Sequence, residues 1–144
     1  MNDPKLFLIA HIAGRAVAID AEQVDSVVDI GEVTPVPSAQ VQIRGLAALR
    51  SRVVTVIDTC AALSLPPSPK APSRAIITQV EGHHYAILVD SLEDVALFAW
   101  SPVSSGITLD SGWRKAGCGI IDRGGDPILV IDLSVLIPGV AVAA

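Results

Sequence analysis

Val53-Val54-Thr55-Val56-Ile57-Asp58 is an apolar strand that ends in aspartate, and the same pattern returns as Pro127-Ile128-Leu129-Val130-Ile131-Asp132. A second matching unit stands upstream of each copy: an apolar run, a glycine turn, another apolar run, then Asp and a valine a few residues on. The first reads Leu6-Phe7-Leu8-Ile9-Ala10-His11-Ile12-Ala13-Gly14-Arg15-Ala16-Val17-Ala18-Ile19-Asp20, with Val24 following. The second reads Ala75-Ile76-Ile77-Thr78-Gln79-Val80-Glu81-Gly82-His83-His84-Tyr85-Ala86-Ile87-Leu88-Val89-Asp90, with Val95 following. A chain that repeats a hairpin and a strand predicts two similar small β-lobes in place of one sheet around a single deep cleft.

Composition narrows the function classes. At 144 residues the chain has the length of one ordinary domain, enough to bury a real core. Apolar residues make up 51% of it, yet no run reaches the roughly 18 uninterrupted apolar residues of a membrane helix, so no membrane insertion is expected. Val, Ile, Leu and Ala supply that hydropathy, which suits pleated strands with interdigitating branched side chains. The net charge is −5 and the basic residues form no stripe interleaved with aromatics, which argues against nucleic-acid binding. Met1-Asn2-Asp3-Pro4-Lys5 lacks the basic region and cleavage site of a secretory signal, and a cytoplasmic location follows as an expectation.

Along the chain, residues 5 to 20 read as a hairpin, and Ala21 to Val27 as either a helical turn capped by Asp20 or continuing strand. Asp29 to Pro37 reads as a loop, and Gln40 to Leu49 leads into a strand over 52–58. Thr59-Cys60-Ala61-Ala62-Leu63 is expected to be a short helix with Asp58 near its N-cap. Residues 64–73 carry Pro66, Pro67, Pro69 and Pro72 and read as an extended link. The expectation is one domain over 1–144, with a first lobe at 5–66, a second at 73–138, and a fraying tail at 139–144. The second copy has strands over 75–80 and 84–89, then Val95 to Phe98, and a looser stretch from Trp100 to Gly117. The turn Gly124-Gly125-Asp126-Pro127 feeds a strand over 128–131, and Ser134-Val135-Leu136-Ile137 repeats the short helix.

The sharpest enzymatic reading is Asp58-Thr59-Cys60-Ala61, close to the Asp-Thr-Gly-Ala loop in which paired carboxylates share a proton, with Asp132 as the second carboxylate. Cys60 replaces the glycine that lets such a loop turn, and Asp132-Leu133-Ser134 lacks both Thr and Gly, so helix capping explains both aspartates more simply. His11, His83 and His84 have no suitably spaced third ligand, so no metal is expected, and the tip histidines read as solvent-facing. Gly117-Cys118-Gly119 neither opens a helix nor has a third glycine. No Walker sequence or nucleophile elbow occurs, and no cofactor is implied. Cys60 and Cys118 lack metal-ligand spacing and are expected to be small buried hydrophobes.

Arg44-Gly45-Leu46-Ala47-Ala48-Leu49-Arg50-Ser51-Arg52 mixes arginines with leucines. Leucines offer burial and guanidinium forks offer directional hydrogen bonds, as a protein-binding patch needs; a solvated loop and strand edge is an equal reading. Over this stretch and on to Val53-Val54-Thr55-Val56-Ile57-Asp58-Thr59, the chain resembles the CheW-like family of bacterial chemotaxis adaptors. That family carries a pattern close to Arg-Gly-hydrophobic-x-Asn-Leu-Arg-Gly-x-hydrophobic-hydrophobic-Pro-Val-hydrophobic-Asp-Leu. Leu88-Val89-Asp90-Ser91-Leu92-Glu93-Asp94-Val95 matches its second-lobe pattern, and the resemblance runs over about residues 5 to 138. Ala48, Ser51 and Thr55 replace the family's Asn, Gly and Pro, and Ser26 stands where an acidic partner for Arg50 is often found.

The resemblance implies an all-β fold of two five-stranded SH3-like barrels joined through a shared core, with short helices. It implies a non-enzymatic scaffold coupling the cytoplasmic tip of transmembrane chemoreceptors to the regulatory domain of a CheA-type histidine kinase. Carried over residue by residue, it makes Val24, Arg44, Gly45, Leu46, Leu49 and Arg50 first-lobe contact candidates, with Val89 and Val95 from the second lobe lining a groove. A CheW-like module of another kinase-linked pathway, such as surface motility or development, is the alternative, and a hydrolase using Asp58 a remote one.

Overall fold

The computed structural model describes residues 4–49, 51–66, 73–102 and 111–138. These form β1 (Lys5–Ile12), β2 (Arg15–Asp20), β3 (Ser26–Asp29), β4 (Ile43–Leu49), β5 (Arg52–Ile57), helix α1 (Thr59–Ala62), β6 (Arg74–Val80), β7 (His83–Val89), β8 (Ser91–Phe98), β9 (Trp100–Ser101), helix α2 (Ser111–Ala116), β10 (Gly117–Arg123) and β11 (Asp126–Ile131). Two 3-10 turns cover Ala21–Gln23 and Leu133–Leu136. The sequence pattern places the hairpins well. Gly14 and Gly82, each at positive φ, fold the two long apolar runs back on themselves as β1–β2 and β6–β7.

The strands form two sheets, ordered β8-β1-β2-β11-β10-β9 and β3-β6-β7-β5-β4. Each sheet is built the same way. A hairpin from one part of the chain lies parallel to the second strand of a hairpin from the other part: β2 beside β11, and β7 beside β5. The strand after each long hairpin then crosses over, so β3 pairs with β6 and β8 pairs with β1. The lobe bounds 5–66 and 73–138 drawn from the repeat therefore do not coincide with the sheets, each of which takes strands from both sides of the link. The first sheet also has six strands where five were expected, because the two-residue β9 pairs with β10. It curls until β8 approaches β10, and Arg123 on β10 bridges to Glu93 on β8 at 3.0 Å.

Three clusters fill the fold. Phe7, Ile9, Ala18, Ile121, Ile128 and Val130 form the interior of the first lobe, and Val54, Val56, Ala75, Ile77, Ala86 and Leu88 that of the second. The largest cluster lies between the sheets. It takes Leu8, Ala10, Ile12, Val17 and Ile19 from β1 and β2, and Ile57, Ile76, Ile87 and Val89 from β5, β6 and β7. Successive side chains of a strand point to opposite faces, so β1 sends Phe7 and Ile9 into its lobe and Leu8 and Ala10 into the shared core. This all-β pair of SH3-like lobes with a common core is the architecture expected.

Two local differences have physical reasons. Residues 111–116, read as loose, are a helix: Trp113 and Ala116 lie three apart, a helical spacing that puts both on one face and drives them into the shared core. Gly112 seats that helix, since a Cβ there would stand 1.8 Å from the Leu63 carbonyl oxygen. Cys118, expected to be buried, is exposed, because the register of β10 slips between Gly117 and Gly119 and turns the intervening residue outward. Cys60 is buried as expected. Residues 103–110 of the stretch read as loose, the 139–144 tail and 67–72 of the link lie outside the described residues. No helix among the described residues is long and apolar enough to cross a membrane.

Shared strands and a shared core make the two lobes one cooperative unit. Ile19→Ala and Ile87→Ala, both at fully buried positions, should each lower unfolding free energy by about 2 to 5 kcal/mol. Urea melts followed by tryptophan fluorescence and by circular dichroism should superimpose as one transition; two separated transitions would show that the lobes unfold independently.

Candidate functional site

The arginine-leucine stretch lies on β4, at an edge of the second sheet. The β4–β5 register slips between Ile43 and Gly45, which leaves Arg44 as the bulged residue, and its guanidinium reaches Asp58 at 3.1 Å. Gly45 is buried, and a Cβ there would meet the Thr34 carbonyl oxygen at 2.3 Å. That close approach lets the loop strand cover part of the β4 edge, with Thr34 N and Leu46 N each donating to the other's carbonyl at 2.8 and 2.9 Å. Leu46 faces outward beside Ala48, and Val53 opposite Ala48 is 63% exposed, so the outer face of β4–β5 is a small apolar patch. Leu49 is half-buried against the second-lobe interior. Arg50 lies outside the described residues.

Val24 follows the first 3-10 turn and is half-buried against the shared core. With Glu22, Gln23 and Asp25 it forms one wall of a groove of about 460 Å³, whose other wall is Thr78, Gln79, Val80, Glu81 and Gly82 at the β6–β7 turn. Asp25 N closes the end of that groove by donating to the Ile77 carbonyl at 2.7 Å. Val89 does not line a groove. It is 1% exposed within the shared core, because β7 is a central strand covered on both faces and its whole Ala86–Val89 run is buried. Val95, by contrast, is 51% exposed on β8. It pairs with Leu8 of the shared core, while Leu97, 63% exposed, pairs with Leu6, also exposed. Directly opposed residues share a face, so Leu6, Val95 and Leu97 make an apolar strip that continues the shared core out to the surface.

Each repeat's terminal aspartate caps a short helix. Asp58 accepts from Ala61 N at 3.1 Å and from Arg44, and the neighbouring Thr59 hydroxyl donates to the Leu88 carbonyl at 2.5 Å. Asp132 Oδ1 accepts from Ser134 N at 3.0 Å, Ser134 Oγ at 2.7 Å and Gln23 Nε2 at 2.8 Å. His11 is engaged by Glu93, and His84 by Arg52; His83 is exposed. Among the described residues no three His, Cys, Asp or Glu side chains are grouped to hold a metal ion.

Sequence reasoning missed Gln23. Its amide donates to Asp132 and accepts from Leu133 N at 3.1 Å, tying the turn that carries Val24 to the end of β11. Beside it is a cleft of about 290 Å³, lined by Lys5, Phe7, Asp20, Gln23, Trp100, Cys118, Val130, Ile131 and Asp132. Lys5 Nζ donates to Asp20 at 2.7 Å, which holds the ammonium above its ordinary pKa against desolvation. Burial pushes Asp20 up, but the Lys5 and Glu22 N–H hydrogen bonds and the ammonium charge outweigh it, and its pKa is lowered. Burial likewise opposes ionisation of Asp132, and the donors from Gln23 and Ser134 again prevail. Desolvation and the neighbouring carboxylates push the Cys118 thiol up.

Because the folded-state pKa values of Asp20 and Asp132 are lowered, protons bind the unfolded chain more readily than the native one. Their contribution is full above the unfolded aspartate value of about 3.9 and is lost as pH falls through the lower folded values. Urea midpoints should therefore fall in that acid window, and Asp132→Asn, which keeps a capping oxygen, should flatten the decline. An unchanged acid profile in that variant would remove Asp132 from the account.

The sequence from residue 6 to 140 matches the family model for the CheW-like domain. Chemotaxis protein CheW of Thermotoga maritima is 21% identical over 132 residues, spanning 92% of this chain and 87% of that protein. The crystal structure of scaffolding protein TtCheW from Thermoanaerobacter tengcongensis superposes with a TM-score of 0.80 at 24% identity, covering 94% of this chain and 93% of that one. With the two SH3-like lobes, the shared core and the ordered motifs already described, the match over nearly the whole length establishes that the chain belongs to the CheW-like domain family.

Proposed function

We propose that this chain is a non-enzymatic scaffold of chemotaxis signalling, which couples the cytoplasmic tip of transmembrane chemoreceptors to the regulatory domain of a CheA-type histidine kinase. The observation that carries the reading is the exposed apolar strip of Leu6, Val95 and Leu97, continuous with the shared core. A solvent-facing strand ordinarily alternates apolar and polar residues, and an apolar strip on its outer face is what an amphipathic helix lays its own stripe against. A receptor tip built as a helical hairpin has the shape and chemistry to occupy it, with Val24 at the neighbouring turn. The outer face of β4–β5, with Leu46, Ala48 and Val53, is a second and separate apolar patch, suited to the homologous domain of the kinase. Arg44 is tied to Asp58 and acts by positioning that face; Arg50 keeps its contact role on the family resemblance alone.

The carboxylates support a scaffold over a hydrolase. Asp58 and Asp132 each serve as helix caps and take donors from Arg44 and Gln23 respectively, so both carboxylates are held in fixed structural roles. The chain would act in the cytoplasm, drawn to membrane-associated receptor arrays through these contacts.

Calorimetric titration with the kinase regulatory domain and with a receptor-tip fragment from the same organism tests the reading, at moderate salt to screen non-specific charge effects. Each should give a saturable one-to-one isotherm. Val95→Asp should weaken the receptor tip about tenfold or more and spare the kinase domain, with Leu46→Asp doing the reverse, and neither should change the thermal midpoint by more than a few degrees. Full affinity for both partners in both variants would remove these faces from the interaction, and no binding by the parent protein would point to a different kinase-linked pathway.

A further inference from the structure

The internal repeat supplies its own comparison. In the β4–β5 hairpin the register slips between Ile43 and Gly45, and in the β10–β11 hairpin it slips between Gly117 and Gly119. Arg44 and Cys118 are thus equivalent bulged residues, each one strand across from a terminal aspartate, Asp58 and Asp132. In the second lobe the Arg44 guanidinium fills that position and binds Asp58. In the first lobe the short Cys118 side chain stands there instead, and the 290 Å³ cleft opens beside Asp132.

We propose that this cleft is a binding site for a guanidinium group on an alkyl stem, received on Asp132 as Arg44 is received on Asp58. The lining suits that chemistry. Asp132 Oδ1 is occupied by Gln23 and Ser134, while Oδ2 accepts from no described residue. Lys5 is neutralised by its bond to Asp20, so Lys5, Asp20 and Asp132 together leave one net negative charge. Phe7, Val130 and Ile131 give an apolar floor for methylenes. The volume accommodates one such side chain and little more. The guanidinium can come from an arginine of a partner protein or from a free small guanidine.

The test follows backbone amide resonances of the intact protein during titration with agmatine, with N-acetyl-arginine methylamide, and with the neutral isostere N-acetyl-citrulline methylamide. The expected result is saturable shifts at Lys5, Gln23, Cys118 and Val130 with both guanidinium probes, with dissociation constants on the order of 1 mM, and none with the citrulline probe. Tighter binding of the capped arginine points to a partner's side chain, and tighter binding of agmatine to a free small molecule. Asp132→Asn, which keeps the cap, should weaken both probes about tenfold. Cys118→Arg should abolish their binding by folding its own guanidinium onto Asp132, and should not lower the thermal midpoint.

Absence of saturable shifts from either guanidinium probe would overturn the assignment. So would equal binding of the citrulline probe, or unchanged affinity in Asp132→Asn. None of these readings depends on kinase or receptor binding, so they stand apart from the scaffold proposal.

Discussion

Two parallel strand pairings, β2 with β11 and β5 with β7, hold this molecule together. Parallel neighbours cannot be joined by a tight turn, so each pairing must unite hairpins remote in sequence. That requirement forces the exchange in which the first hairpin completes a sheet made otherwise of later strands, and the β6–β7 hairpin completes one made otherwise of earlier strands. The shared core follows, because the outward faces of the two exchanged hairpins are the faces that meet. Two segments carry the chain across: the turn holding Val24 leads from β2 to β3, and Asp90 leads from β7 to β8, the strand that holds Val95.

The repeat made the elements legible and left the partnership of strands hidden. Alternation of apolar residues fixes which face of β1 is buried, and Gly14 and Gly82 fix where it turns, but neither says which strand lies alongside. The lobes were accordingly drawn along the chain, while the sheets formed across it. Val89 misled for a related reason. A strand buried on both faces reads as a continuous apolar run, and nothing in Ala86-Ile87-Leu88-Val89 distinguishes a core valine from a groove valine. Asp58 and Asp132 were legible as caps because capping is a local interaction. Gln23 was not, since its partner lies at the far end of the chain. The glycines around Cys118 did carry a signal of a bulge, and with it of an outward-turned residue.

The two copies have diverged on their outer faces. The β4 edge is bridged at one point by Thr34, leaving an apolar outer face on β4–β5. The equivalent strand β10 is covered by β9, and its hairpin carries Asp122, Arg123 and Asp126. The second copy also adds α2, whose Trp113 packs into the shared core and carries the Arg15 guanidinium 5.0 Å from its ring centroid. A near-symmetric frame thus presents unlike surfaces on its two lobes.

The exchanged hairpins also govern how the chain comes off the ribosome. Two of the first lobe's five strand pairings, β1 with β8 and β2 with β11, join residues far apart in sequence, so Leu6 to Ile19 stays without its neighbouring strands until β8 and then β11 have been made. Such long-range closure folds slowly, and it leaves a strongly apolar segment of the molecule incompletely covered until β11 is available. Nascent chains of this architecture are therefore natural clients for holding chaperones, and a chain cut before β11 would strand the β1–β2 hairpin along with the strand it lacks.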